Sequence, residues 1–259
     1  MSKMKKIAAM TAALLISAST MGYLPQNSIK ISNVTANAAE EEITSVEINE
    51  ANFPDLNFRD YIKSIFDTDY DGVLSAEEIA AVTSIILSED GLHGETIVVS
   101  DLKGIEYFTN LKELNCNESN LTKIDLSKNK KLEYLSCESN DLTTLDLSSN
   151  TALTELFCSS NQLTYLDLSN NPVLTSVICD INKLTSLDVS NNTALTELSC
   201  YKNQLTYLDV SKNTALTKLS CGANQLTSLD VSNNTALIEL SCSDNQLTSL
   251  DLSNNSTRH

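Results

Sequence analysis

The chain has 259 residues, with 17 Lys and Arg against 34 Asp and Glu, for a net charge of -17. So acidic a surface excludes phosphate backbones and anionic lipid as favoured partners, because like charges repel there. Two His and no Trp leave little material for acid–base chemistry near neutral pH, so no enzyme is expected.

The first residues read as an export signal. Lys3, Lys5 and Lys6 form a basic start, Ile7 to Ala18 is apolar, and Ala36-Asn37-Ala38 offers a small-x-small cleavage site. The apolar run is shorter than the ~20 residues of a membrane span. Residues 1–38 are therefore expected to be removed, leaving a mature chain without an integral membrane segment, secreted or at the cell surface.

Residues 39–101 read as an N-terminal cap. Glu40 to Glu50 is acidic, a linker or a short first strand. Leu56, Phe58, Tyr61, Ile62, Ile65 and Phe66 recur at helical spacing, with Pro54 in the first turn and Asp55 near its positive end. Directly afterwards, Asp67-Thr-Asp69-Tyr-Asp71-Gly72-Val73-Leu-Ser75-Ala-Glu-Glu78 matches the twelve-residue EF-hand calcium pattern.

Asp67, Asp69 and Asp71 supply three carboxylates, Gly72 allows the sharp turn, and Val73 offers its carbonyl. Ser75 contributes directly or through water, and Glu78 offers both carboxylate oxygens. Four carboxylates converging here repel strongly without a cation, so one structural Ca2+ is expected; a metal-free acidic turn is the alternative. No second DxDxDG occurs, which favours a structural role over a paired sensor. The loop also resembles one half of a dockerin, a module that needs two such loops. Ser75 and Glu78 have capping-box spacing at the start of a second helix carrying Ile79 and Val82. A β-like run, Thr96-Ile-Val-Val99, then leads to residues 102–110, an irregular first coil on which the cap is expected to dock.

From Leu111 to Asn255 the sequence repeats every 21 residues, seven times. The third coil runs Leu153-Thr-Glu-Leu156-Phe-Cys158-Ser-Ser-Asn161-Gln-Leu163-Thr-Tyr-Leu166-Asp-Leu168-Ser-Asn-Asn171, giving the template LxxLxCxxNxLTxLDLSxNxx. This spacing is a leucine-rich-repeat signature, placed at residues 111–259. Each coil has two halves, and alternation around Leu-x-Cys and Leu-Asp-Leu predicts a short strand in each. The fold expected is a leucine-rich-repeat solenoid of parallel β-sheets, roughly 30 Å long at ~4.8 Å per rung, with a small α-helical, EF-hand-like cap.

Position by position, the template assigns roles. Cys116, Cys137, Cys158, Cys179, Cys200, Cys221 and Cys242 recur at one inward position and read as buried reduced thiols. Their odd number, their 21-residue spacing and their parallel side chains disfavour disulfides and zinc. Asn140, Asn161, Asn182, Asn203, Asn224 and Asn245 form one inward ladder, and Asn150, Asn171 and their equivalents a second. Ser119 stands in for Asn in the first coil and is expected to weaken that corner. Asp125, Asp146, Asp167, Asp188, Asp209, Asp230 and Asp251 face outward and are read as bonding the following turn rather than binding cations.

Seven coils with Cys at the sixth position resemble the cysteine-ladder leucine-rich repeats of internalin J and related surface proteins of Gram-positive bacteria. The resemblance covers residues 102–259, and it implies binding of host or matrix macromolecules without catalysis. The residues up to His259 contain no LPxTG-type sorting motif, which leaves wall attachment open. Function is expected on the outward positions of the first half-strand. Most are Ser, Glu or Asn, but Tyr134, Phe157, Ile178, Ile181 and Tyr201 break that habit and predict an apolar patch rimmed by Glu138, Glu155, Asp180 and Glu197. Two functions compete: recognition of a protein or glycan by the central coils, or a scaffold that self-associates through its last coil.

Overall fold

The computed structural model describes residues 44–87 and 96–255. The expected export signal, Gly91, His93, Gly94 and His259 lie outside the described residues.

The cap contains β1 (Ser45–Glu47), α1 (Leu56–Ile65), β2 (Val73–Ser75) and α2 (Ala76–Ala81). Helix α1 begins where the Asp55 carboxylate accepts from Phe58 N at 3.0 Å, satisfying one amide left unpaired at a helix start. Asp55 is thus the N-cap itself, and Pro54 lies just outside the helix rather than in its first turn. The helix buries Phe58, Tyr61 and Ile62, the spacing of one helical face, while Leu56 stays exposed. Helix α2 opens with a reciprocal capping box. Glu78 N donates to Ser75 Oγ at 3.2 Å and Ser75 N donates to Glu78 Oε2 at 2.9 Å. It ends before Val82, which is buried in extended conformation instead of helical. Strand β1 pairs antiparallel with β2, Val46 opposite Leu74, so the acidic segment before the helix does supply a strand.

An aromatic cluster joins cap to solenoid. Phe53 is fully buried, and its ring centroid lies 6.1 Å from Phe58, 5.8 Å from Tyr107 and 6.5 Å from Phe108. Phe66 packs on Phe108 at 5.9 Å. Gly104 permits this contact: its φ is +106°, and a Cβ there would stand 2.3 Å from Phe53 Cδ1. The Asp55 carboxylate ties the same joint from outside, accepting from Ser100 N and Oγ at 2.8 Å each.

Eight strands form one parallel sheet in strict sequence order: β3 (Ser84–Ile86), β4 (Glu113–Asn115), β5 (Tyr134–Ser136), β6 (Glu155–Phe157), β7 (Ser176–Ile178), β8 (Glu197–Ser199), β9 (Lys218–Ser220) and β10 (Glu239–Ser241). Leu114, Leu135, Leu156, Val177, Leu198 and Leu219 point from these strands into a continuous core, beside the cysteine column. No single coil could bury them; stacking does.

The solenoid also departs from the sequence reading. The sheet starts at β3, so the first coil opens before residue 102, and Thr96–Val99 forms no strand. Val99 turns a corner instead, its N–H donating to Ser119 Oγ at 3.3 Å, as Leu121 N does to Asn140 Oδ1 at 3.0 Å. Only the first half of each coil makes a ladder. In the second half, local turns use the donors: Ser169 N donates to Asp167 Oδ1 at 2.9 Å and Asn171 N to Leu168 O at 3.1 Å. Those amides are not available to a neighbouring rung.

The two asparagine columns differ in how they are satisfied. Asn161 Oδ1 accepts from Leu142 N at 3.0 Å, while its Nδ2 donates to Cys137 O, Cys158 O and Ser159 O at 2.9, 3.2 and 3.2 Å. Asn171 Nδ2 donates to Leu147 O and Asn150 O at 3.1 and 2.9 Å. Its Oδ1 is buried without a hydrogen-bond partner, as are the equivalents on Asn129, Asn150, Asn192, Asn213, Asn234 and Asn255.

Candidate binding face and calcium loop

The strand face carries the residues the sequence singled out. Tyr134 opens β5 and Phe157 closes β6, and their rings meet at 5.4 Å between centroids. Phe157 stands opposite Ile178 across the next rung. These three side chains form one half-buried apolar run. Ile181 and Tyr201 make a second group at the following corner, where Ile181 N donates to Tyr201 O at 2.8 Å and both side chains are exposed. Between the groups Asp180 Oδ1 accepts from Tyr201 N at 2.8 Å and Ser199 Oγ at 2.5 Å, so this rim carboxylate is fixed. A shallow groove continues from Ile178 and Asp180 across Glu197, Ser199 and Lys218.

Ile181 sits in an unusual backbone. The eighth position of every coil is left-handed, at Glu118, Ser139, Ser160, Ile181, Lys202, Ala223 and Asp244, with φ between 51° and 55°. A β-branched residue is a poor occupant of that conformation, because its branched Cβ crowds the backbone.

In the cap, Asp67, Asp69 and Asp71 bring carboxylate oxygens within 4.8 Å of one another, Asp67 buried and the other two exposed. The turn is held by backbone donors: Asp71 N to Asp67 Oδ1 at 3.1 Å, Gly72 N to Asp67 Oδ2 at 3.1 Å and Val73 N to Asp71 Oδ1 at 2.7 Å. Gly72 has φ +83°, a left-handed position that glycine fills at least cost. Glu78 is not part of the three-aspartate cluster. Its Oε1 accepts from Thr68 Oγ1 and N at 2.6 Å each, and its Oε2 from Ser75 N and Oγ at 2.9 and 3.0 Å. The Thr68 hydroxyl first, then the Ser75 and Thr68 amides, pull its pKa from 4.5 to about 2. Ser75 lies against Glu78, and Val73 enters β2.

Six of the seven cysteines are inert by placement. Cys116 through Cys221 are buried, and Cys242 is half-buried. Burial pushes the Cys116 and Cys221 thiols up to about 12. Cys137, Cys158, Cys179 and Cys200 are raised by burial first and by neighbouring thiols next. The outward aspartates instead have lowered pKa values, because the Ser two residues on donates to each carboxylate. The local-turn reading accounts for them.

Two exposed aromatics escaped the sequence reading. Tyr165 and Tyr207 lie on the second half-coil, 63% and 65% exposed. Their repeat position varies from coil to coil, which is the signal that identifies them.

No protein-family profile matches the chain. A stretch of 77 residues is 38% identical to internalin J of Listeria monocytogenes serotype 4b, covering 30% of this chain and 8% of that protein. The solved functional domain of internalin J from Listeria monocytogenes, which includes a cysteine ladder, aligns with a TM-score of 0.75 and 42% identity. This is a cysteine-ladder leucine-rich-repeat solenoid. The alignment covers 82% of this chain and 46% of the internalin J domain, so the chain spans less than half the length of that relative. Internalin C2 of Listeria monocytogenes shares the fold at 21% identity and TM-score 0.70, over 82% of this chain and 94% of that one. Among the described residues no helix is long and apolar enough to cross a membrane.

Proposed function

We propose that this cysteine-ladder protein acts outside the bacterial cell as a binding module, taking a protein or glycan partner on its strand face. The observation that carries the reading is the run Tyr134, Phe157 and Ile178, with Ile181 and Tyr201 at the adjoining corner. Apolar and aromatic side chains on a rigid sheet lose little entropy on binding and make good anchors. Ile181 adds weight, since a strained, exposed β-branched residue is better explained by contact with a partner than by folding. The basic and apolar N-terminal segment agrees with export.

The deciding measurement is capture from extracts of candidate partners by the chain from Ala39, compared with Phe157→Ser/Tyr201→Ser. A partner bound by the parent and lost by the double variant supports the strand face. A partner kept by the variant, or capture of the same chain alone, sinks it.

The cap loop is further proposed to hold one structural Ca2+. Asp67, Asp69 and Asp71 present hard oxygen donors at EF-hand spacing, and a cation would relieve their mutual repulsion. The Val73 carbonyl, Ser75 and Glu78 would complete the set, the last by exchanging its Thr68 and Ser75 bonds for the ion. Bound there, the ion would stiffen the cap against the first coil. Calcium should raise the melting temperature of the parent, and a chelator should reverse it. An equal calcium shift in Asp67→Ala/Glu78→Ala rules the site out.

A further inference from the structure

A groove on the opposite half of the coils fits a different ligand. Tyr165 and Tyr207 occupy the same repeat position two coils apart, and Ser186 lies between them in the intervening coil. At ~4.8 Å per rung the tyrosines start about 10 Å apart. Sandwiching a flat group takes roughly 7–8 Å between ring faces at van der Waals contact, so the gap admits one planar group with the rings leaning inward. The small Ser186 leaves its floor open. The equivalent residues in the other coils are Lys123, Thr144, Ser228 and Ser249, so the aromatic pair is confined to the middle of the solenoid. The rings, Ser186 and the carboxylates of Asp167, Asp188 and Asp209 line one groove of roughly 690 Å³.

The charge in this groove selects the guest. Ser169, Ser190 and Ser211 amides donate to one oxygen of Asp167, Asp188 and Asp209 at 2.9, 2.9 and 2.8 Å, which fixes the carboxylates side by side. Asp188, in the centre, feels the like charges of both neighbours. Tyr207 and Asp209 are two residues apart in one coil and line the same groove. Two exposed tyrosines lining one groove with a row of fixed carboxylates suit a planar cation, because a guanidinium can stack on rings and bond carboxylates at once. A neutral sugar would gain nothing from the charge.

We propose that Tyr165, Ser186 and Tyr207 form a clamp for an arginine side chain on a basic polypeptide partner, with Asp188 as its main counter-charge. The clamp lies on a different half-coil from Tyr134 and Phe157, so it stands or falls independently of the strand-face reading.

The test uses the full chain, an arginine-rich octapeptide, and a matched peptide with citrulline replacing arginine. Citrulline keeps the shape and removes the charge. Titrations followed by calorimetry and by the tyrosine ring signals in NMR should show arginine-peptide binding that weakens with salt. Affinity should fall about tenfold in Tyr165→Ser/Tyr207→Ser and severalfold in Asp188→Asn, where the amide oxygen can still accept from Ser190. Phe157→Ser/Tyr201→Ser should bind the peptide unchanged. Equal affinity for the citrulline peptide overturns the proposal, as does full affinity in the tyrosine variant. A neutral oligosaccharide that moves the Tyr165 and Tyr207 signals when the arginine peptide does not would also overturn it.

Discussion

The two asparagine columns make a sharp internal comparison. Asn161 uses both ends of its amide, and truncation to Ala orphans the buried Leu142 N–H while removing donors to three carbonyls. An unpaired buried N–H costs about 1–3 kcal/mol, and each lost net bond about 0.5–1.5 kcal/mol. With bonds of uneven quality, Asn161→Ala should cost roughly 3–5 kcal/mol. Asn171→Ala removes two donated bonds, but it also removes an oxygen already buried without a partner. Its cost should be roughly 1–2 kcal/mol. Both residues are well buried in coil three, so differences in exposure do not confuse the comparison. Urea unfolding followed by circular dichroism reads it directly, and a gap of about 2 kcal/mol should separate the midpoints by roughly 1 M. Equal costs, or the reverse order, would refute the bond-by-bond reasoning.

Three further outcomes follow from the geometry. Gly104→Ala should melt well below the parent in a thermal scan, because its Cβ meets the Phe53 ring at 2.3 Å and Asn52 O at 2.9 Å in a left-handed backbone; an unchanged melting temperature would contradict the joint described. Glu78 has a depressed folded-state pKa of about 2 against an ordinary 4.5, so its contribution is complete above the ordinary value and lost as pH falls through that window. Acid titration of calcium-free protein should therefore loosen the helical cap between those values, and Glu78→Gln should remove that part of the pH dependence. Thiol labelling of the native chain near pH 8 should modify Cys242, the half-buried member, and leave the six buried thiols until denaturant is added.

What could be read in the sequence follows the strength of its periodicity. The strands from β4 to β10 each recur in one phase, and a leucine or cysteine placed one residue off would face solvent. Strand β3 belongs to the same sheet but lies 29 residues before its neighbour, not 21, which hides it from any search at the repeat period. The second half-coil shows the limit of alternation as a signal. Leu166-Asp-Leu168 looks like a strand, yet the Asp inside the alternation and the Asn after it are turn formers whose bonds close locally. Tyr165 and Tyr207 are hard to single out for a related reason, since they sit among the constant Thr, Leu and Asp of that half. In the cap, carboxylate spacing disclosed the acidic loop, but spacing could not show that Glu78 already bonds Thr68 and Ser75.

The 29-residue offset between β3 and β4 has an evolutionary meaning. Ser84 still faces Glu113 and Ile85 still faces Leu114, and Ile97 N donates to Leu87 O at 2.6 Å, so the longer interval leaves the register of the sheet unchanged. Closing a loop costs only slowly more as it lengthens, and no rung above it has to shift. Added length between Leu87 and Ile97 is thus nearly neutral for the sheet, whereas a single added residue inside a strand would invert a whole face. New sequence can accumulate there, and be sampled by selection, without renegotiating the fold.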